Sequence, residues 1–129
     1  MKLGVIDQPL TWEGWGEAKA LLAKSAARSG DTIEEIEAAL GKAMLWAATD
    51  GGVKFVAVVQ LLPLADGVQF YVWHAGGDFE GYGRRLLDKA EQWARVNGLR
   101  SMELDGRMGW MRKLQGWKPV SVTMRKELA

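Results

Sequence analysis

The stretch that most constrains the fold lies between residues 68 and 97, where the apolar pattern changes its period. Val68, Phe70 and Val72 alternate with Gln69 and Tyr71, as they would in a β-strand. Glycines follow at positions 76, 77, 81 and 83. From residue 84 the apolar residues recur with the spacing of one helix face: Leu86, Leu87, Ala90, Trp93 and Ala94. This stretch therefore predicts a buried strand, a glycine-rich turn and an amphipathic helix.

A glycine-rich turn before a helix can bind an anion. The first backbone N–H groups of a helix have no partner within the helix, and the helix dipole is positive there. Glycine lets the backbone come close to a phosphate. Taken alone, Gly81 and Gly83 favour the simpler interpretation, a tight strand-to-helix turn without a ligand.

The rest of the chain predicts two helices followed by antiparallel strands. The first helix is expected over residues 12–28, and Thr32 with Glu35 forms a capping box that begins the second. Further strands are predicted over residues 1–9, 44–49, 53–62 and 100–104. The strand at 100–104 follows a helix, so it should run parallel to the strand at 68–75. A short helix over 108–115 and a last strand through Val120, Val122 and Met124 complete one domain, residues 1–129.

Composition excludes several classes of site and partner. The chain has 129 residues, a formal net charge of +1, no cysteine and a single histidine. It therefore has no disulfide, thiolate zinc site, cysteine nucleophile or histidine-rich metal site, and no metal is expected. A nearly neutral charge does not favour nucleic acid as a partner. Without a long apolar run or a signal-peptide pattern, no membrane contact is expected, and the predicted location is the cytoplasm.

Two motifs resemble those of the GNAT superfamily, the GCN5-related N-acetyltransferases. Residues 79–87, Phe-Glu-Gly-Tyr-Gly-Arg-Arg-Leu-Leu, are similar to the family's pyrophosphate loop, which has the pattern Arg/Gln-x-x-Gly-x-Gly/Ala before a long helix. Residues 110–117 resemble the late helix that ends in Gly-Phe. The resemblance extends from about residue 44 to the C-terminus. In size and pattern the chain also resembles small GNAT-like proteins of phages and prophages. It implies an α/β (α+β) fold: a mixed sheet with splayed central parallel strands and flanking helices.

The resemblance also implies an activity, acetyl-CoA-dependent transfer of an acetyl group to an amine of a small molecule or protein. The backbone amides of Gly81, Tyr82, Gly83 and Arg84 would hold the pyrophosphate, and Arg84 and Arg85 would add positive charge.

Catalysis requires a group that polarises the thioester carbonyl and a base that takes the amine proton. In the family a backbone amide of the central strand does the first, here near Trp73, His74 or Ala75. Histidine titrates near neutrality, so His74 is the first candidate base. The alternative is a structural role for His74, with Glu103 as the second candidate.

Two positions depart from the family pattern. Asp78 stands where the family prefers arginine or glutamine, and Arg112 stands where many members have a tyrosine that protonates the leaving thiolate. A non-catalytic GNAT-like protein, virion-associated or otherwise a binding protein, is therefore the alternative function. Its candidate partners include phage virion components, and a homodimer is the candidate oligomer.

Five of the seven tryptophans fall into two predicted groups. Trp93 and Trp117 are predicted to lie in the core. Trp12, Trp15 and Trp46 are predicted to line the acceptor cleft, which would suit an apolar or cationic substrate.

Overall fold

A five-stranded sheet organises the residues that this computed structural model describes, 1–105, 114–120, 124 and 126–128. The strands are β1 (Lys2–Ile6), β2 (Met44–Thr49), β3 (Val53–Leu64), β4 (Gly67–Gly77) and β5 (Ser101–Leu104). The helices are α1 (Trp15–Ser29), α2 (Ile33–Ala39) and α3 (Arg84–Val96). A 3-10 turn (Pro9–Thr11) precedes α1, and a π-helical turn (Phe79–Gly83) leads into α3.

The strands lie in the order β1-β2-β3-β4-β5. The first three pairs are antiparallel, and β4 pairs with β5 in parallel, from Gln69 opposite Ser101 to Val72 opposite Leu104. The predicted parallel pair is therefore confirmed. The mixed sheet with helices on both faces also confirms the predicted fold class.

Strand β3 lies at the centre of the sheet and is covered on both faces. Residues 55–59, Phe-Val-Ala-Val-Val, are each at most 2 % exposed. This explains why the run is continuously apolar instead of alternating, as is typical of strands buried on both sides.

The helix termini follow from local chemistry. Helix α1 ends at Gly30, which has a φ of 80° and donates its N–H to the Ala26 carbonyl. The capping box before α2 is confirmed: the Glu35 N–H donates to Thr32 Oγ1 at 3.1 Å, and the Thr32 N–H donates to Glu35 Oε1 at 3.2 Å. Together these two signals separate α1 from α2 by only a few residues.

Two apolar layers hold the helices to opposite faces of the sheet. On one face, Leu86 and Ala90 of α3 pack with Phe70 of β4. On the other face, Leu22 of α1 and Ile36 of α2 pack with alternate residues of β2 and β3. Burial of large aliphatic and aromatic side chains in both layers stabilises the sandwich by about 1.5–3 kcal/mol per side chain.

A β-bulge interrupts β4 beside the point where it leaves β5. Val58 pairs with His74 while the next residue, Val59, pairs with Val72, so Trp73 is the extra residue. The register with β5 ends at Val72, whereas β4 continues to Gly77. The last residues of β4 are thus paired with β3 alone among the strands that the structure describes.

The late helix predicted over 108–115 and the last strand around Val122 fall largely outside the described residues. Leu114 is described, and it packs at the edge of the layer that contains α3. In the described ranges no helix is long and apolar enough to cross a membrane.

Candidate functional site

Polar side chains occupy the sheet face opposite α3 where β4 and β5 run together. Gln69 Nε2 donates to Ser101 Oγ at 3.2 Å and to Glu103 Oε2 at 3.0 Å. Tyr71 lies opposite Glu103 in register, and its hydroxyl donates to Asp105. The residues between them in sequence pack against α3, so these five side chains lie on the face that carries α1 and α2. We call Gln69, Tyr71, Ser101, Glu103 and Asp105 the polar face.

The polar face carries concentrated negative charge. Burial raises the pKa of the Tyr71 hydroxyl, and its hydrogen bond to Asp105 acts in the same direction. The charges of Asp105, Glu103 and Asp31 raise that pKa further. Three carboxylates therefore surround one phenol, an environment that disfavours anions and suits a cation.

His74 follows Tyr71 on β4 and lies at the centre of a buried hydrogen-bond network. The side chain is 1 % exposed. Its Nδ1 lies 2.7 Å from Ser25 Oγ of α1, and its Nε2 lies 2.8 Å from Asp31 Oδ2, in the connection between α1 and α2. The network therefore ties β4 to α1 and to the connection that follows it.

The geometry separates His74 from any substrate. Both ring nitrogens have partners and the ring is closed off from solvent. A base must come within hydrogen-bond reach of the proton that it takes. The side chain of this network that is accessible to solvent is that of Asp31, which is 24 % exposed.

Glu103, the second candidate base, is half-buried on the polar face. Its Oε2 accepts a hydrogen bond from Gln69. It lies beside Tyr71 in the last stretch where β4 and β5 are paired. Its catalytic role stays a prediction.

The backbone candidates for polarising a carbonyl lie at the bulge. Trp73 is the residue without a partner in the register with β3. Ala75, two residues further along β4, pairs with Ala57 and packs at the edge of the layer against α3. A bulged residue is left out of the ladder, so the Trp73 backbone is the best placed of the three for binding a ligand atom.

The glycine-rich turn begins its helical hydrogen bonds earlier than expected. The N–H groups of Tyr82 and Gly83 both donate to the Asp78 carbonyl, at 3.1 and 3.0 Å. The Arg84 N–H donates to the Phe79 carbonyl. The turn thus contains no preformed cradle of the predicted amides, and their role in cofactor binding stays a prediction.

The carboxylate of Asp78 caps this turn. Its Oδ1 accepts the Gly81 N–H at 2.9 Å. A Cβ on residue 81 would lie 2.5 Å from Asp78 Oδ2, so glycine is needed for this close approach. An acidic side chain therefore holds the amide that the sequence assigned to a pyrophosphate.

Gly83 has a packing role. It is buried, and a Cβ there would lie 2.8 Å from the rings of Phe55 and Phe79. The interpretation of Gly83 as a tight-turn glycine is thus supported by contacts within the core, independently of any ligand.

The side chains around the turn are charged and mostly exposed. Arg84 pairs with Glu80 at 3.1 Å and lies 5.2 Å from the Phe79 ring centre. Arg85 is exposed. The Tyr82 hydroxyl donates to Asp50 Oδ2 at 2.8 Å, which joins the turn to the β2–β3 hairpin. Both arginines thus lie at the start of α3, where their positive charges could stabilise a bound anion.

A cavity of about 230 Å³ lies along the first turns of α3. Leu87 and Leu114 supply apolar contacts and Trp117 an aromatic ring, and the charged residues of the lining are Arg84, Asp88 and Glu91. The cavity lies next to the glycine-rich turn, because its lining includes Arg84, the residue that follows the turn.

The structure corrects the tryptophan prediction. Trp46 is 3 % exposed and packs edge-to-face with Phe70 and Trp93, at 5.9 and 5.7 Å between ring centres, on the α3 side of the sheet. Its Nε1 has no hydrogen-bond partner among the described residues, and the neighbouring ring faces are the weak acceptors at hand. Trp46 is a core residue, so its prediction as a cleft residue was wrong.

The other two tryptophans lie on the α1–α2 side. Trp15 is buried, and its Nε1 donates to Glu37 Oε2 at 2.9 Å, joining α1 to α2. Trp12 is half-buried at the edge of the same layer. Contact of either ring with a substrate stays a prediction.

Sequence reasoning did not identify Ser25, Asp31, Tyr71 or Asp105 as site residues. Asp31 carried a usable signal, because it stands between the helix-ending Gly30 and the capping box at Thr32. Within the described ranges, no three carboxylate or histidine side chains are placed to hold a metal ion.

Comparison with known proteins gives the fold. No protein-family model matches the chain, and no curated protein matches it. Several solved structures resemble it over nearly its whole length, and three of them have 12–17 % identity to it. The tetramutant of the BH1408 protein from Bacillus halodurans has 17 % identity and a TM-score of 0.72, covering 99 % of this chain and 100 % of that one.

The other two are acetyltransferases. Aminoglycoside acetyltransferase meta-AAC0020 from an uncultured soil metagenomic sample, in complex with sisomicin, has 12 % identity and a TM-score of 0.72, covering 99 % and 96 % of the two chains. A GNAT family acetyltransferase of Staphylococcus aureus has 12 % identity and a TM-score of 0.67, covering 98 % of each. The protein therefore has the fold of the GNAT acetyltransferases.

Proposed function

We propose that the protein transfers an acetyl group from acetyl-CoA to a primary amine. One observation carries the proposal: β4 leaves β5 and forms a bulge directly beside the polar face, which bears the carboxylates of Glu103 and Asp105 and has the charge of Asp31 near it. Such a place can take an extended ligand along free strand backbone and a cationic acceptor beside it. The fold of acetyltransferases supports this interpretation, although fold alone does not fix function.

The residues present fit acetyl-CoA in part. Beyond Val72, β4 offers backbone on its β5 side to the amide-containing pantetheine arm. The start of α3, with Arg84 and Arg85, would hold the pyrophosphate, provided that the Asp78 carboxylate turns away from the Gly81 amide. The cavity that contains Trp117 would take the nucleotide base. When bound, acetyl-CoA supplies an activated thioester.

This chain's own residues would do three things. The backbone at Trp73 would bind the carbonyl oxygen, because the bulge frees its polar groups. The carboxylates at and beside the polar face would bind the acceptor as an ammonium ion. The aromatic rings of Tyr71 and Trp73 would limit water access around it.

The experiment is binding followed by turnover. Acetyl-CoA and desulfo-CoA should raise the melting temperature, because a ligand that binds only the folded state stabilises it. Pantetheine, which lacks the nucleotide, should give a smaller rise. Release of free thiol should then depend on an added primary amine. No change in melting temperature at saturating CoA, together with no thiol release, would contradict the proposal.

Asp78 favours a second candidate, a non-catalytic binding protein that keeps this fold. A carboxylate bound to the Gly81 amide opposes a pyrophosphate at that place. In that case neither acetyl-CoA nor desulfo-CoA changes the melting temperature, and replacing Asp78 does not restore binding. A phage virion component is then a partner to test by co-purification.

A further inference from the structure

We infer that Asp31 receives the proton of the acceptor amine, with His74 and Ser25 as positioning residues behind it. The inference rests on the proposed acetyl transfer and replaces His74 as the base. It starts from the buried network and from the one side chain of that network that reaches solvent.

The two oxygens of Asp31 have different environments. Oδ2 accepts from His74 at 2.8 Å and from Ser29 Oγ at 3.3 Å. Oδ1 has no hydrogen-bond donor within the part of the chain that the structure describes. Because the side chain is 24 % exposed, one oxygen is anchored while the other can accept a proton from outside.

The anchoring fixes the state of the histidine ring. A carboxylate is only an acceptor, so His74 Nε2 must carry the hydrogen that it shares with Asp31. In the neutral ring Nδ1 is then an acceptor, and the Ser25 hydroxyl donates to it at 2.7 Å. Ser25 and His74 are 7 % and 1 % exposed, so the packing of α1 on β4 holds this orientation.

The contacts of Asp31 also place it near the bulge in β4 and near the polar face. Its partner His74 follows the bulge at Trp73, where β4 has already left β5. Its charge also acts on Tyr71, a member of the polar face. The open oxygen therefore belongs to a side chain that contacts the residue after the bulge and acts electrostatically on the polar face, where acceptor and thioester would meet.

The step balances in atoms and charge. The ammonium gives one proton to Asp31 Oδ1, and the freed lone pair on nitrogen attacks the thioester carbonyl carbon. The N–C bond forms and the C–S bond breaks, with its electron pair leaving on sulfur. The second proton lost by nitrogen goes to that sulfur, which leaves as a thiol. Asp31 returns its proton to solvent.

The first test compares three single replacements of a carboxylate by its amide. Asp31→Asn keeps an oxygen for His74 and removes the basic carboxylate. It should lower kcat by roughly two to four orders of magnitude and also raise KM for the amine, because Asp31 binds the ammonium ion before it takes the proton. Glu103→Gln, which removes one carboxylate that binds the acceptor, should raise KM for the amine and lower kcat far less than Asp31→Asn does. The matched control Asp66→Asn, in the turn before β4, should behave as the parent. A full kcat in Asp31→Asn, or a larger loss in Glu103→Gln, would overturn the inference.

The second test distinguishes positioning from proton transfer at His74. His74→Gln places an amide N–H where Nε2 donates, so it should retain much of the turnover. His74→Leu cannot donate and should lose turnover as Asp31→Asn does. Equal and complete loss in both variants, with an unchanged melting temperature in His74→Gln, would make the imidazole itself the base.

The third test needs no turnover. The chain has one histidine, so its ring nitrogens give a single set of NMR signals. The parent should show the Nε2–H form, and ethylamine, putrescine or spermidine should shift these signals without CoA, while Asp31→Asn should not respond. If amines shift them but no transfer occurs, the activity is wrong and Asp31 remains the amine site. If none of the three shifts them, Asp31 is not that site.

Discussion

Individual residues in this protein take roles that depend on what lies across the fold from them. Asp31 and Asp78 are both acidic residues next to a helix start. Asp78 caps its own turn, and its exposed charge opposes the anion that the turn would otherwise attract. Asp31 instead meets a buried histidine from a distant strand. The same chemical group therefore blocks one ligand and is proposed to bind another.

The charge on Asp78 should weaken CoA binding. Asp78→Asn keeps an oxygen to cap the Gly81 amide but removes the charge. Because two unit charges about 4 Å apart interact by about 1 kcal/mol in water, affinity should rise roughly fivefold. Calorimetry with CoA measures this, with Asp66→Asn as the control of unchanged affinity. An equal or weaker affinity in Asp78→Asn would show that the carboxylate does not oppose the pyrophosphate.

Tyr71 should make stability fall at alkaline pH. Burial, the bond to Asp105 and nearby charges raise its pKa above the usual 10.0. As the pH rises past 10.0, the unfolded state loses the phenol proton before the folded state does. The contribution of Tyr71 to the free energy of unfolding is therefore full below that pH and is lost as the pH rises above it. Urea unfolding across this range should show a steeper loss for the parent than for Tyr71→Phe.

The assignment can be checked by absorbance, because the chain has only two tyrosines. Tyr82→Phe leaves Tyr71 as the only phenol, which should stay neutral well beyond the pH at which free tyrosine ionises. Ionisation of that phenol at the usual pH would contradict the described contact with Asp105.

At the scale of elements, α1 and β4 approach closely because β4 ends in glycines. A Cβ on Gly76 would overlap the Leu21 carbonyl oxygen of α1. This close contact brings Ser25 within reach of His74. The bulge at Trp73 helps as well, since it changes which face the following side chains occupy. Helix, bulge and glycine together build the network.

Replacing Gly76 should therefore separate α1 from β4. Gly76→Ala should destabilise the fold by about 1–3 kcal/mol, the usual cost of overpacking, and weaken the contact between Ser25 and His74. Urea unfolding measures the first effect and the histidine NMR signals report the second. Gly4→Ala on β1 is the matched control, because a Cβ there meets nothing within 4 Å. Equal stability of the two variants would contradict this packing.

At the scale of the whole molecule, the sequence predicted those structural elements that depend on residues close together in the chain. The apolar run of β3, the capping box at Thr32 and the period change before α3 each specify their element locally, and the parallel pair followed from connection rules. The site did not follow in this way. His74 meets Ser25 and Asp31 across separations of 49 and 43 residues, which only the packed fold brings together.

Dependence on the packed fold also explains why the prediction for Trp46 was wrong and why the early helical hydrogen bonds of the glycine-rich turn were not predicted. An aromatic residue on a strand faces one side or the other according to register, which the pattern of β2 alone does not specify. The capping of Gly81 by Asp78 depends on side-chain placement within the turn, whereas the motif specifies only the glycines.

The Trp73 ring lies against the His74 ring, at 4.5 Å between ring centres and tilted by 54°, and this contact gives the network an optical signature. An imidazolium quenches the excited state of an adjacent indole, whereas a neutral imidazole does so far less. The emission of this one tryptophan, isolated by subtracting the spectrum of a Trp73→Phe variant, therefore reports how charge is shared between His74 and Asp31. The protein carries its own fluorescent indicator of proton movement, with no dye attached.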